Sequence, residues 1–310
     1  MGREVAAYAP ASVSNVSCGF DIMGFAIEGA GDTVTARMSP VPGVRITRIT
    51  GSLSTLPAEA ALNTAGPPVL ALLREYAPGA GVELEIAKGI PVGGGIGSSA
   101  ASAGAAVVAA DALLGTRLPR EKLLDLAIEG ERVASGATHV DNLSPCLWGG
   151  FVLVRGYDPI DIVQIRVPES LWCSVISPGI EVKTEHARRI LPRTLPLADL
   201  VTQSGNAAGL IAGLFTSDFG LIRRSLYDVV AEPARVHLIP GFAGMKASAM
   251  AGGALGCGIS GSGPALFALS SSQDEAHRIA ESLGRACEET GMRYSTIVSR
   301  VGAPGARIIS

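Results

Sequence analysis

The sequence lacks the features that would commit it to disulfide, metal, nucleic-acid or membrane chemistry. Its five cysteines (Cys18, Cys146, Cys173, Cys257 and Cys287) contain no CxxC pair. An odd, dispersed set argues against a disulfide framework or a structural zinc, and for buried free thiols in a reducing compartment. There are four histidines and no HxxxH spacing, so a histidine-built metal site is not expected. No Lys/Arg run occurs, and a formal charge of -3 gives no basic field for a nucleic-acid backbone. The longest weakly polar stretch, Ala100–Leu114, is mostly alanine and is broken by Asp111, which is too short and too mildly apolar to span a bilayer. The N-terminus shows no basic stretch followed by an apolar run. Ala6 stands where a myristoylation signal after Met1-Gly2 needs Ser or Thr. The expectation is a soluble cytoplasmic protein with neither a membrane nor a nucleic-acid partner.

What remains is a chain of 310 residues, 47% apolar and 17% charged, enough for two ordinary domains with a substantial core. Alternation in Val34–Met38 and Val82–Ile86 predicts half-buried strands at Thr33–Met38 and Val82–Ile86. Further strands are expected at Val5–Tyr8, Gly24–Glu28, Val44–Ile49, Phe151–Arg155, Trp172–Ile176, Ala265–Leu269 and Tyr294–Val301. Helices are expected over Asn63–Tyr76, from the Gly/Ser loop to about Leu114, and over Arg120–Val133, Glu185–Ile190, Leu197–Val230, Ala243–Ala251 and Gln273–Glu289. Strands and helices mix without a regular βα alternation, which favours α+β over a doubly wound sheet. The turn-rich Gly156-Tyr157-Asp158-Pro159 is the candidate boundary, giving domains 1–157 and 158–310.

The strongest local signal is Pro91-Val92-Gly93-Gly94-Gly95-Ile96-Gly97-Ser98-Ser99-Ala100. Its glycines permit positive φ and converging N–H groups, and the Ala/Val-rich segment that follows is a good helix former. A loop opening onto a helix N-terminus is an anion site. Ser98 and Ser99 add hydroxyls for capping, for phosphate oxygens or for a metal ion. The loop is neither a Walker A sequence, since GK[ST] is absent, nor a GxGxxG dinucleotide fingerprint. A flexible glycine loop with an ordinary serine cap is the bland alternative. The ordered run of glycines and serines at a helix start makes phosphate binding the better reading.

Two companion segments stand near the ends of the chain: Pro10-Ala11-Ser12-Val13-Ser14-Asn15-Val16-Ser17-Cys18-Gly19-Phe20-Asp21, and Gly256-Cys257-Gly258-Ile259-Ser260-Gly261-Ser262-Gly263-Pro264. The three segments, in this order, resemble the three motifs of the GHMP kinases. Within that superfamily, His139-Val140-Asp141-Asn142-Leu143-Ser144-Pro145 before Gly149-Gly150 is similar to the homoserine kinases, as are Thr184 to Arg188 and Glu232-Pro233-Ala234-Arg235. The resemblance implies a two-domain GHMP kinase fold, with a ribosomal-protein-S5-like N-terminal domain and a ferredoxin-like C-terminal domain. It also implies ATP and Mg²⁺, L-homoserine as small-molecule substrate, and a homodimer.

Carried over residue by residue, the resemblance assigns Pro91, Gly93, Gly94, Gly95, Ile96, Gly97, Ser98, Ser99 and Ala100 to the nucleotide phosphates. Asn63 and Lys88 line the nucleotide pocket. Ser99 and Glu131 match the metal-contacting positions, while Glu129, turned by roughly 200° on a helix, is taken as a surface carboxylate. Asp21 fits the substrate ammonium, with Asn15 adding a hydrogen bond. Arg188 and Arg235 fit its carboxylate, since guanidinium holds a carboxylate through two parallel bonds. Gly261, in the Ser260–Gly263 loop, supports the pocket. His139 is read as a structural or substrate-orienting residue. Asn142 stands where some relatives carry a catalytic Asp, and an amide cannot accept a proton at neutral pH. No dedicated base is therefore expected. A kinase for mevalonate, phosphomevalonate, shikimate or a sugar, or a silent ATP- or metabolite-binding relative, remains the alternative.

Overall fold

The period-two strands assemble into two sheets. In the computed structural model, which describes residues 3–51, 56–136 and 138–310, the first sheet has seven strands. They are β1 (Glu4–Ser14), β2 (Met23–Ser39), β3 (Gly43–Thr50), β4 (Gly81–Ala87), β5 (Phe151–Tyr157), β6 (Ile160–Ile165) and β11 (Arg307–Ile308). The order β11-β1-β2-β4-β3 continues through β5 on the far end of β2 and β6 on β5. The second sheet, in the order β10-β7-β9-β8, contains β7 (Trp172–Pro178), β8 (Gly256–Ile259), β9 (Leu266–Ser270) and β10 (Tyr294–Arg300), all antiparallel.

The helices are α1 (Gly66–Tyr76), α2 (Ser98–Leu114), α3 (Arg120–Ser135), α4 (Val140–Trp148), α5 (Thr184–Arg189), α6 (Leu197–Thr216), α7 (Phe219–Ser225), α8 (Ala231–Arg235), α9 (Phe242–Ala251) and α10 (Gln273–Glu288). Alanine makes α2 narrow on nearly every face, so it lies against β1 and β2 with α3 beyond it. The N-terminal apolar core forms between these helices and the first sheet. Alternation on β9 divides the second sheet: Phe267 and Leu269 face that core, while Leu266 and Ala268 face a separate core under α9 and α10. All five cysteines are buried and free. No helix among the described residues is long and apolar enough to cross a membrane.

Several elements differ from the sequence expectation. The two strands expected at Gly24–Glu28 and Thr33–Met38 are one, β2, with a register shift opposite Pro10/Ala11 and Gly29 at φ 86° absorbing the extra residues. The helix expected from Asn63 starts at Gly66, because the Asn63 carboxamide oxygen accepts from the Ala65 N–H (3.1 Å) and closes a turn instead. Helix α4 was masked by Pro145 in its interior. That proline has no N–H for the Asp141 carbonyl, which packs against Gly24 so closely that a Cβ there would lie 2.0 Å from it. Strands β6, β8 and β11 also went unexpected. The turn at 157/158 joins the β5–β6 hairpin, so the chain leaves the first sheet only after β6.

Phe25 on β2 joins the two halves. Its ring stacks on Phe151 (5.7 Å, 15°) and meets Phe267 edge-on (6.4 Å, 84°), and all three are fully buried. Phe25→Ala is expected to lower unfolding free energy by about 3–5 kcal/mol, the range for deleting a buried aromatic. Urea denaturation of the variant beside the wild type checks this.

Candidate active site

Three loops converge on one cleft of about 510 Å³. The glycine loop between β4 and α2 turns through positive φ at Gly93 (70°), Gly95 (81°) and Gly97 (73°). Its carbonyls are satisfied from outside. Ser260 Oγ donates to the Gly95 carbonyl (2.7 Å), and the Ser12 N–H donates to the Ile96 carbonyl (3.2 Å). A Cβ on Gly95 would lie 2.7 Å from the Gly263 carbonyl oxygen, and one on Gly97 would lie 2.2 Å from Ser12 Oγ. Glycine is required at both by φ and by close approach.

The loop after β1 is strained where it meets this cleft. Asn15, Val16 and Ser17 lie consecutively at φ 68°, 42° and 61°, and Asp21 at 60°. Positive φ is an outlier for β-branched Val16, and such conformations persist only where neighbours over-determine them. Here the neighbours are explicit. Asn15 Nδ2 donates to the Gly261 carbonyl (2.8 Å), Asn15 Oδ1 accepts from the Asp21 N–H (2.9 Å), and the Gly261 N–H donates to the Ser14 carbonyl (3.1 Å).

Most of the residues expected at the site border this cleft, including Gly93, Gly94, Gly95, Gly97, Ser98, Ser99, Asn15, Asp21, Asn142, Arg188, Arg235 and Gly261. The exceptions are Pro91, which has no N–H to offer, and Ile96 and Ala100, whose side chains are buried in the core. Ser98 Oγ donates to the Ile90 carbonyl (3.2 Å), whereas the Ser99 hydroxyl makes no hydrogen bond among the described residues.

Asn63 and Lys88, expected to line the nucleotide pocket, do border the cleft. Their polar groups are bonded within the protein. Asn63 Nδ2 donates to the Pro57 carbonyl (2.8 Å) while its oxygen caps Ala65. The Lys88 ammonium donates to Asp32 Oδ2, to the Ser98 carbonyl (3.0 Å) and to Ser102 Oγ (2.8 Å), which uses all three of its protons.

The substrate-side charges are likewise engaged with one another. Arg188 Nη1 and Nη2 donate to the two oxygens of Asp21 (2.9 and 2.8 Å), so the residues assigned to opposite ends of a zwitterion are bonded to each other. Arg235 is buried and donates to the carbonyls of Ala187 (3.0 Å) and Gly261 (2.9 Å). Both guanidinium carbons lie near the Phe20 ring, at 5.7 Å for Arg188 and 5.3 Å for Arg235. Burial lowers the Arg235 pKa, yet a guanidinium remains charged.

Asn142 is fixed by two serines that the sequence reading did not single out. Ser12 Oγ donates to its Oδ1 (3.1 Å), and its Nδ2 donates to Ser14 Oγ (2.8 Å). Their spacing of two on β1 is the signal that would have found them, since residues i and i+2 share a strand face. His139 Nδ1 meets Glu131 Oε2 at 3.0 Å, and both are buried. Burial pulls the His139 pKa down, but the Glu131 hydrogen bond and the charges of Glu131 and Asp141 outweigh it and leave the pKa raised. Glu129 pairs with Arg132 on the surface (2.6 Å). Asp141 is sealed in, and its Oδ1 lacks a partner among the described residues. Burial, then the nearby Asp21 charge, push its pKa up to about 6, while His139 opposes the rise.

Among the described residues no group of three or more His, Cys, Asp or Glu side chains is arranged to hold a metal. Ser99 and Glu131 border the same cleft and offer oxygen only. Few hard protein ligands, with phosphate and water completing the shell, is the donor set that suits Mg²⁺.

Comparison with known proteins agrees with this geometry. Family models for the GHMP kinases N terminal domain and the GHMP kinases C terminal match residues 63–150 and 210–289. A homoserine kinase of Chlorobium phaeobacteroides (strain BS1) is 44% identical over 320 residues, covering 99% of this chain and 100% of the relative. One from Xanthomonas campestris pv. campestris (strain B100) is 42% identical over 308 residues, covering 99% and 95%. The crystal structure of homoserine kinase from Cytophaga hutchinsonii ATCC 33406 superposes with a TM-score of 0.96 at 47% identity, covering 100% of this chain and 98% of that one. L. major mevalonate kinase, at 16% identity and a TM-score of 0.72, shares the fold.

The Asp141 shift carries a sign. A carboxyl whose folded pKa is raised from 3.8 to about 6 binds its proton more tightly folded than unfolded, so stability falls as pH rises through that interval. Asp141→Asn removes this titration. Thermal melts are expected to find the variant and the wild type alike near pH 4, with the variant the more stable above pH 6 by a margin that grows between them.

Proposed function

The chain belongs to the homoserine kinase family of GHMP kinases, and from that premise we propose that it transfers the γ-phosphate of ATP to the side-chain hydroxyl of L-homoserine, giving O-phospho-L-homoserine and ADP. The observation that carries the residue roles is the meeting of the glycine loop with the Asp21–Arg188 pair and Arg235 around one cleft. Phosphoryl transfer needs charge neutralisation and alignment more than covalent chemistry, and the cleft's components answer those needs.

The backbone of Gly93–Ser99 and the N-terminus of α2 bind the phosphates through N–H groups and the helix dipole. Ser99 and Glu131 would hold Mg²⁺, which when bound offsets phosphate charge. The His139 contact orients the Glu131 carboxylate.

An α-amino acid is recognised by exchange. Its carboxylate takes the guanidinium groups of Arg188 and Arg235, and its ammonium takes Asp21, so one internal pair gives way to two external ones. A ligand lacking either charge would leave a half-buried ion uncompensated, which disfavours mevalonate, shikimate and sugars. Asn142, held between Ser12 and Ser14, presents a fixed amide that orients the acceptor hydroxyl without taking its proton. The proton passes to the phosphoryl oxygens or to water. A second reading is favoured by the place of Asp141, which borders the same cleft beside Asn142 and whose pKa burial raises into the range of a general base.

The N-terminal half, through β6, supplies the nucleotide side of this division, and the C-terminal half supplies the arginines and the Ser260–Gly263 support. Exposed Leu197, Leu200, Val201 and Phe215 on α6 support a homodimer, and the buried free thiols support a cytoplasmic setting.

ADP release in the presence of Mg²⁺ is expected with L-homoserine and absent with mevalonate, shikimate or galactose. Asp21→Asn and Arg235→Lys should each raise the KM for homoserine by about 10²-fold with little change for ATP, as expected for losing a charge-assisted contact. Turnover of a substrate without an amino group would remove Asp21 from its assigned role. Asp141→Asn separates the two proton routes. A kcat within about tenfold of wild type supports a reaction without a base, and a loss of about 10²–10⁴ makes Asp141 the acceptor.

A further inference from the structure

A buried ion pair lies beneath the phosphate loop and takes no part in the chemistry described above. Asp32 is fully buried on β2, and the side chain of Lys88, one residue past β4, is almost as completely enclosed. Strand parity put them there. Asp32 shares the inward face of β2 with Val34 and Ala36, and Lys88 shares that of β4 with Leu84 and Ile86. The register Val34↔Ile86 and Thr33↔Ala87 brings Asp32 and Lys88 opposite each other at the next step.

The pair's hydrogen bonds all lead to the phosphate loop and the helix it opens. Asp32 Oδ1 accepts from the Gly89 N–H (3.0 Å) and the Ile90 N–H (3.2 Å), where the loop leaves the sheet. Asp32 Oδ2 accepts from Ser102 Oγ (2.7 Å) and from Lys88. Lys88 reaches the Ser98 carbonyl and Ser102 Oγ, which lie one helical turn apart on the same side of α2. Both ends of the loop are therefore tied to one ion pair.

That attachment also sets the roll of α2. With Ser98 and Ser102 bonded to the pair, Ser99 leaves α2 about 100° further round and also borders the cleft. The Ser99 hydroxyl has no hydrogen bond of its own among the described residues, so the helix roll is what sets the place of its Cβ at the cleft. A buried pair seldom adds net stability over apolar residues of the same volume, which leaves specificity of position as the physical reason to retain one.

We propose that Asp32, acting through Lys88, is a positioning residue that clamps the phosphate loop and the roll of α2, and so sets the place of Ser99 and of the bound nucleotide without touching either. This rests on the nucleotide reading of the loop given above.

Three variants test it: Asp32→Asn, Lys88→Met, and the double variant. Each single change leaves one buried charge unpaired and lowers the melting temperature. The double variant removes both charges and is expected to recover most of that loss. Position should not recover with it. In the double variant the KM for ATP and the dissociation constant of fluorescent mant-ADP are expected to remain raised by about tenfold or more, while the KM for L-homoserine stays within about twofold. Hydrogen exchange at amides 89–101 should be faster than in wild type. A double variant with wild-type mant-ADP affinity and wild-type exchange would overturn the proposal, as would both KM values rising together in step with the loss of stability. If wild-type protein binds no mant-ADP, the nucleotide reading fails instead, and exchange at 89–101 alone decides whether the pair clamps the loop.

Discussion

The carbonyl oxygens of Gly95 and Ile96 find their partners outside their own loop. Ser260 and Ser12 satisfy them from opposite ends of the chain. A buried carbonyl left without a donor costs on the order of a lost hydrogen bond, so the glycine loop keeps its shape only when both distant loops are in place. The strained turn at Asn15–Ser17 obeys the same condition, since it is held by Gly261. Each of the three loops is thus a template for the other two, and the cleft exists only in the complete tertiary fold.

This mutual dependence explains how the two halves cooperate. The Phe25, Phe151 and Phe267 cluster joins their cores, and above it the polar contacts between loops join their surfaces. Substrate charge is handled across the same seam. Asp21 stands on the N-terminal side, while Arg188 and Arg235 stand on the C-terminal side, so a zwitterion bound between them would bridge the halves. The Asp21–Arg188 pair itself spans this seam and balances its charge.

Much of this was legible in the sequence where the signal is local. Gly93 to Ser99 pointed to a phosphate loop by composition and order, whereas Asn142 was singled out only by the family resemblance, as an amide where some relatives carry an acid. The partnerships were less legible. Nothing near Asp21 in the chain signals Arg188, 167 positions away, and nothing near Asn142 signals Ser12 or Ser14. Lys88 was placed at the nucleotide pocket, which it borders, but its partner Asp32 was not seen, though strand parity turns both inward and pairs them. Pro145 hid a helix, and the Asp141 carbonyl that it cannot serve packs against the bare backbone of Gly24, a long-range approach that no window of local sequence contains.

The five enclosed cysteines have a consequence of their own. Burial raises every one of their pKa values, to about 12 for Cys18, Cys146 and Cys257. At neutral pH a thiol with that pKa is ionised in only about one molecule in 10⁵, and the thiolate is the reactive form. The native protein is therefore nearly invisible to alkylating reagents and mild oxidants, while any opening of either core returns its thiols to ordinary acidity and reach. With Cys18 near the strained turn, Cys146 under the glycine loop's helix and Cys257 on the second sheet, the chain carries internal markers whose labelling order would record which part of the molecule opens first.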